Sequence, residues 1–255
     1  MGKSCLFAAV LSVVVTTSVL AQPKVLMGDI RLRPPEMLID EKTGARSGPL
    51  LEVFSEAAKR VGYAVEWRAV PFPRSLEQLK TGDTDIVPRL VMTDDRKAFV
   101  EFLGPIGVQP TEIEFLVKSG KEHALKSYDD LKKLSVGVKR KTAYFEQFDT
   151  DKSIFRMEAL DDDNLAQMFN SERFDTMIVL DKSAVEKALK NKGISGYAWA
   201  DYKVPLKLGI YFGMAKTSKH AAVAKPLSEA LAGMVKSGRV AEIYKKFNVL
   251  PPPTE

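Results

Sequence analysis

Cysteine is almost missing from these 255 residues: the single one, Cys5, falls close to the start. From Gln22 onward the chain has no thiol, which excludes a disulfide framework, a cysteine nucleophile and a thiolate metal site. Histidine is nearly as scarce. His123 and His220 stand far apart, so a paired-histidine metal centre is excluded too, and nothing marks a carboxylate one. Internal repeats and low-complexity tracts are absent. Long hydrophobic runs are also lacking, with one exception from Leu6 to Leu20. That run follows Lys3 and ends at Val19-Leu20-Ala21, the order of a secretory leader cut near Ala21 and Gln22. Its 15 residues fall short of the roughly 20 that a membrane span needs. Cys5 precedes the run, so it is not the lipidated cysteine that follows a lipoprotein leader.

Charge of one sign is not in large excess. The formal net charge of +5 becomes +4 without Lys3, the one charged residue of the leader. Basic and acidic residues are interspersed, and only Lys139-Arg140-Lys141 forms a tight cluster, so nucleic acid is not expected as a partner. Local positive charge favours a small anionic ligand instead.

What is present is an alternation of strand and helix patterns. Lys24 to Gly28 reads as a strand, and apolar residues at 50, 53, 54, 57, 58 and 61 mark one helix face between Pro49 and Gly62. Tyr63 to Arg68 suits a strand, Arg74 to Lys80 a short helix, and Asp85 to Val87 a strand. The pattern then restarts. Ser127 and Asp130 form a capping box, Ser135 to Val138 is a strand, and Thr142 is placed to cap a helix through Phe148. Strands at Phe155 to Ala159 and Phe174 to Leu180 and helices at Asp163 to Glu172 and Lys182 to Lys190 complete a second α/β unit. Gly193 to Pro205 reads as irregular or weakly extended and Leu206 to Ala215 as extended. Helices about Lys219 to Ser237 and Arg239 to Phe247 close the chain, with Pro226 delaying or kinking the first. The "PPPTE" end reads as a frayed polyproline tail. Such alternation predicts parallel sheets with helices on their faces.

The segments "GARSGPLLEVFSEAAKRVGY", "SLEQLKTGDTDIV", "TDDRKAFVEFLGP", "SYDDLKKLSVGV", "RFDTMIVLD" and "SGRVAEIYKKF" occur in the order found in the family 3 extracellular solute-binding proteins of bacterial ABC importers, and the chain resembles them from about Lys24 to Phe247. The resemblance implies a two-lobed, type II periplasmic-binding-protein-like α/β fold whose lobes are joined by two crossing strands. Lobe 1 would comprise residues 22–113 and 211–250, and lobe 2 residues 114–210. The crossings would lie near 111–117 and 206–215, followed by the tail at 251–255. It further implies a periplasmic monomer without cofactor that closes over a small solute and delivers it to a membrane permease.

Site residues follow from the same resemblance. Arg96 closes the "T-x-x-R" segment that begins at Thr93, where amino-acid-binding members grip the ligand carboxylate. A guanidinium offers two parallel charge-assisted bonds there, although a cation in a first helical turn opposes the helix dipole. Asp181 stands where the family places an acid against a ligand ammonium, and it also suits a helix N-cap. Thr142 matches the family's Gly-Thr site with Lys141 in place of glycine. Arg33 replaces a stacking aromatic, Phe72 takes the position of a second one, and Arg74 follows within reach of the cleft. Arg96, Asp181, Thr142, Arg33, Phe72 and Arg74 each also have an ordinary reading as cap, core or surface. "PRLVM" replaces a stretch that usually offers glycine and a hydroxyl, so the common amino-acid pocket is incomplete. Two other classes remain open: a cyclohexadienyl-dehydratase-like enzyme drafting Glu36 or Asp181 as its acid, and a sensor whose closed state signals to a membrane partner.

Overall fold

The computed structural model describes residues 24–254; the expected leader lies outside the described residues. The chain begins with β1 (Lys24–Ile30) and a small hairpin of β2 (Leu38–Ile39) and β3 (Arg46–Ser47). Next come α1 (Pro49–Arg60), β4 (Tyr63–Ala69), α2 (Phe72–Thr81), β5 (Ile86–Pro88), the single turn α3 (Asp94–Lys97) and β6 (Val100–Leu103). The long β7 (Val108–Lys118) leads to β8 (Ser135–Lys139), α4 (Glu146–Thr150), β9 (Phe155–Ala159) and α5 (Asp162–Asn170). After these follow β10 (Thr176–Val179), α6 (Lys182–Asn191), β11 (Tyr197–Trp199), β12 (Val204–Gly209), β13 (Phe212–Ala215), α7 (Ala224–Lys236) and α8 (Arg239–Lys246).

Two sheets result. The first has the order β4-β1-β5-β13-β6, with β1 parallel to β4 and β5 and with β13 antiparallel to its neighbours. α1 forms because Pro49 pre-sets its first turn and Glu52 and Lys59-Arg60 complement its dipole. It buries Leu50, Val53, Phe54 and Ala57 on one face. Phe54 lies 4.8 Å from the Phe212 ring and 5.9 Å from Trp67, and each such buried side chain contributes about 1.5–3 kcal/mol.

The second sheet has the order β11-β7-β10-β8-β9, with β12 paired to β7. Its two faces pack separate cores, because successive residues of a strand point to opposite sides. Ile113, Phe115, Val136 and Ile178 face one core with Phe148, whereas Leu116, Met177 and Val179 face the other with Leu165 and Phe169. Thr176, fully buried, satisfies its hydroxyl by donating to Leu116 O at 3.0 Å.

Two expectations are refined and two change. The extended stretch at 206–215 is two strands: β12 runs antiparallel to β7, the chain turns at Ile210-Tyr211, and β13 joins the first sheet. Residues 193–205 contain β11, paired with β7. Thr142 caps no helix, since α4 begins at Glu146 after Phe145. There the Asp149 carboxylate accepts from Tyr144 N at 3.0 Å and Tyr144, buried, accepts from Lys139 N at 2.8 Å, which holds 142–145 out of the helix. Finally, the tail is docked: Val108 N donates to Pro253 O at 2.8 Å, and Pro252 packs on Gly107 so closely that a Cβ there would lie 2.7 Å from it. Pro226 does delay its helix, a 3-10 turn at Ala221–Val223 preceding α7.

Candidate functional site

The carboxyl ends of the parallel strands in the two sheets face each other, the arrangement in which open α/β sheets hold ligands. A cavity of about 310 Å³ lies between them. Arg31, Arg33 and Arg89 line it from the first sheet, Asp181, Lys182 and Ser183 from the second, and Gln109, Thr111, Leu208 and Gly209 from the two crossing strands.

β1 and β5 deliver two of these arginines. Gly28 pairs with Ile86, and Arg31 and Arg89 each stand three residues further on. One guanidinium nitrogen of Arg31 donates to Arg89 O at 3.2 Å, and its central carbon sits 4.5 Å over the Phe72 ring. Burial, reinforced by Arg33, Arg89 and Arg96 and opposed by Glu36, pushes Arg31 down to about 9. Arg89 is held at φ 60°, a left-handed conformation uncommon for a side-chain-bearing residue. Its Nε is 2.9 Å from Glu36 Oε2, and a second nitrogen donates to Gln109. Burial lowers its pKa, with Glu36 opposing and Arg33 adding to the fall. Glu36 also meets Arg33 at 3.4 Å and accepts from the Tyr244 hydroxyl at 3.3 Å.

Asp181 is both things its sequence position allows. Its Oδ1 accepts from Ala184 N at 3.2 Å and Ser183 Oγ at 2.9 Å as the N-cap of α6, while its Oδ2 lies 2.8 Å from Arg33 on the opposite lobe. Burial alone would raise this carboxyl, but Arg33, Ser183 and Ala184 outweigh it and leave the pKa below its ordinary value.

Arg96 is buried beside the cavity. It donates to Val91 O at 2.7 Å and, across the lobes, to Lys141 O at 2.8 Å; its guanidinium lies 5.7 Å from the same Phe72 ring. Thr93 caps its turn, accepting from Arg96 N at 3.3 Å. Burial, opposed by Asp149, lowers Arg96 to about 10.

Of the sequence-derived candidates, Arg33 and Asp181 line the cavity, and Arg96 and Phe72 adjoin its arginines. Lys141 presents its carbonyl to Arg96 while its exposed ammonium points to Glu77 at 3.8 Å. Thr142 is half-buried in the turn beside it, and Arg74 is exposed on the first turn of α2. Arg31 and Arg89 escaped the sequence reading. Their signal was the equal spacing beyond two strand segments, visible only once those strands are taken as neighbours.

A model of the bacterial extracellular solute-binding proteins, family 3, matches residues 27–249. The chain is 25% identical over 219 residues to the probable amino-acid-binding protein YxeM of Bacillus subtilis, covering 81% of this chain and 78% of that one. It is also 25% identical over 209 residues to the L-cystine-binding protein TcyJ of Escherichia coli K12, covering 80% and 75%. An ancestral arginine-binding protein bound to arginine superposes with a TM-score of 0.68 at 22% identity, covering 89% of this chain and 99% of the other.

Proposed function

Because the chain belongs to the bacterial extracellular solute-binding proteins, family 3, we propose that it captures a small carboxylate-bearing solute, an amino acid or related compound, in the periplasm and delivers it to an ABC-type permease. The observation that carries this reading is the cavity itself. Guanidiniums from one lobe and a capped helix start from the other converge on about 310 Å³, a volume suited to a small metabolite. Relatives named for amino acids and cystine support the same class.

In this reading Arg96 anchors the ligand carboxylate by exchanging its carbonyl partners for charge-assisted bonds. β7 and β12 act as the hinge, and closure brings Asp181 against Arg33. The enzymatic alternative has less support, since Glu36 and Asp181, the acids it would draft, are both committed to arginines.

A thermal-shift screen of residues 22–255 against amino acids and small carboxylates tests the proposal. A ligand at 100 times its dissociation constant adds about 2.7 kcal/mol of stability and raises the melting temperature visibly. A folded protein that responds to no carboxylate, or one that turns a ligand over, would sink the reading.

A further inference from the structure

The charges around the cavity do not balance. Among the described residues, the guanidiniums of Arg31, Arg33 and Arg89 line it and that of Arg96 adjoins them, while two carboxylates, Glu36 and Asp181, are in ion-pair contact with this group. Those two are consumed by Arg33 and Arg89. Lys182, the remaining cation of the lining, is paired with Glu114 at 3.0 Å. Asp149 acts on Arg96 from α4 but is shared with Arg156. Among the described residues, Arg31 and Arg96 are thus left with backbone carbonyls as their hydrogen-bond acceptors, flanked by one aromatic ring, Phe72. Holding a half-buried cation with no carboxylate in contact is costly, and Arg31, in that state on the cavity wall, is arranged for an anion supplied from outside.

We infer that Arg31 is the anchor for a second anionic group, so that the cavity takes a small dianion, a dicarboxylate or an acidic amino acid, with one carboxylate at Arg96 and the other at Arg31. This rests on the receptor reading above and sharpens it. A cationic ligand such as arginine would have to displace Arg33 from Asp181 to find an acid, and would enter a field already positive. Neutral amino acids would leave Arg31 uncompensated. The cavity, at about 310 Å³, admits a small dianion of the size of succinate or glutamate.

Calorimetric titration of residues 22–255 with succinate, L-glutamate, L-glutamine and L-arginine, repeated on Arg31→Gln, tests the assignment. The wild type is expected to bind succinate or glutamate at least about tenfold more tightly than glutamine or arginine, the scale of one charge-assisted bond. In Arg31→Gln the dianion affinity is expected to fall roughly 10- to 100-fold and the preference over glutamine to collapse toward one. The ligand-free melting temperature supplies the second readout. It should stay level or rise in Arg31→Gln if Arg31 serves the ligand, and a large fall would make Arg31 a structural residue and overturn the inference. Glutamine or arginine binding as tightly as the dianions would overturn it while leaving the receptor reading intact. Binding of none of the four probes or any other carboxylate, with the fold preserved, would overturn both.

Discussion

Arg33 and Asp181, from opposite lobes and separated by most of the chain, meet at 2.8 Å across the cleft. The pair forms only when the lobes are together, so its contribution to stability reports how much of the ligand-free population is closed. A double-mutant cycle with Arg33→Met and Asp181→Asn, measured by urea unfolding, is expected to give a coupling of about 1–2 kcal/mol, above the few tenths typical of exposed pairs. A coupling near zero would mean that the lobes stand apart before ligand arrives.

Asp149 supplies a pH dependence. Burial, opposed by the Tyr144 amide and by Arg156 and Arg96, raises its carboxyl to about 6. The folded chain therefore binds more protons than the unfolded one between the ordinary aspartate value and about 6, and this group lowers stability as pH rises through that window. Asp149→Asn keeps an acceptor for Tyr144 N and removes the titration. Relative to wild type, the variant is expected to gain stability from pH 4 to about 6.5 and then level off, by about 1–2 kcal/mol after allowing for partial exposure. Unfolding midpoints of the two proteins that run parallel across this range would contradict it.

Arg89 carries a backbone cost that glycine would not. Arg89→Gly and Arg89→Ala both delete the guanidinium, so their difference isolates the left-handed φ. The glycine variant is expected to be more stable than the alanine variant by about 1 kcal/mol. Equal unfolding midpoints would show that the turn relaxes.

Gly137 in β8 faces the ring of Phe174, and a Cβ would intrude on it. The ring is buried among Leu165, Phe169 and Met177 and has little room to retreat. Gly137→Ala is expected to cost about 1–3 kcal/mol, read as a lowered melting temperature. A variant as stable as wild type would show that the second core is loosely packed.

Much of the framework was legible because local rules and tertiary packing agree. Pro49, Gly62 and the apolar period of α1 bound it nearly to the residue, and Asp181 caps α6 as its position promised. Where a distant contact overrides the local signal, the sequence misled. Thr142 looks like a cap, yet Tyr144 and Asp149 claim the backbone that a helix there would need. The proline tail looks unattached until Gly107 and Val108 offer it a seat. Arg31 and Arg89 look like any surface arginines; only the pairing of β1 with β5 reveals that they share a corner.

That seat has a practical side. Residues 252 and 253 rest on the start of β7, the strand through which one lobe connects to the other. On the hinge proposed at β7 and β12, a fluorophore or tether joined behind Thr254 would sit at the pivot and swing little, so it would make a poor distance probe of lobe motion. The same attachment, by tugging Pro253 off Val108, would act as a mechanical handle on the pivot. Labels intended to watch the cleft shut belong on the exposed faces of α2 and α6, which travel with their lobes and leave the pivot untouched.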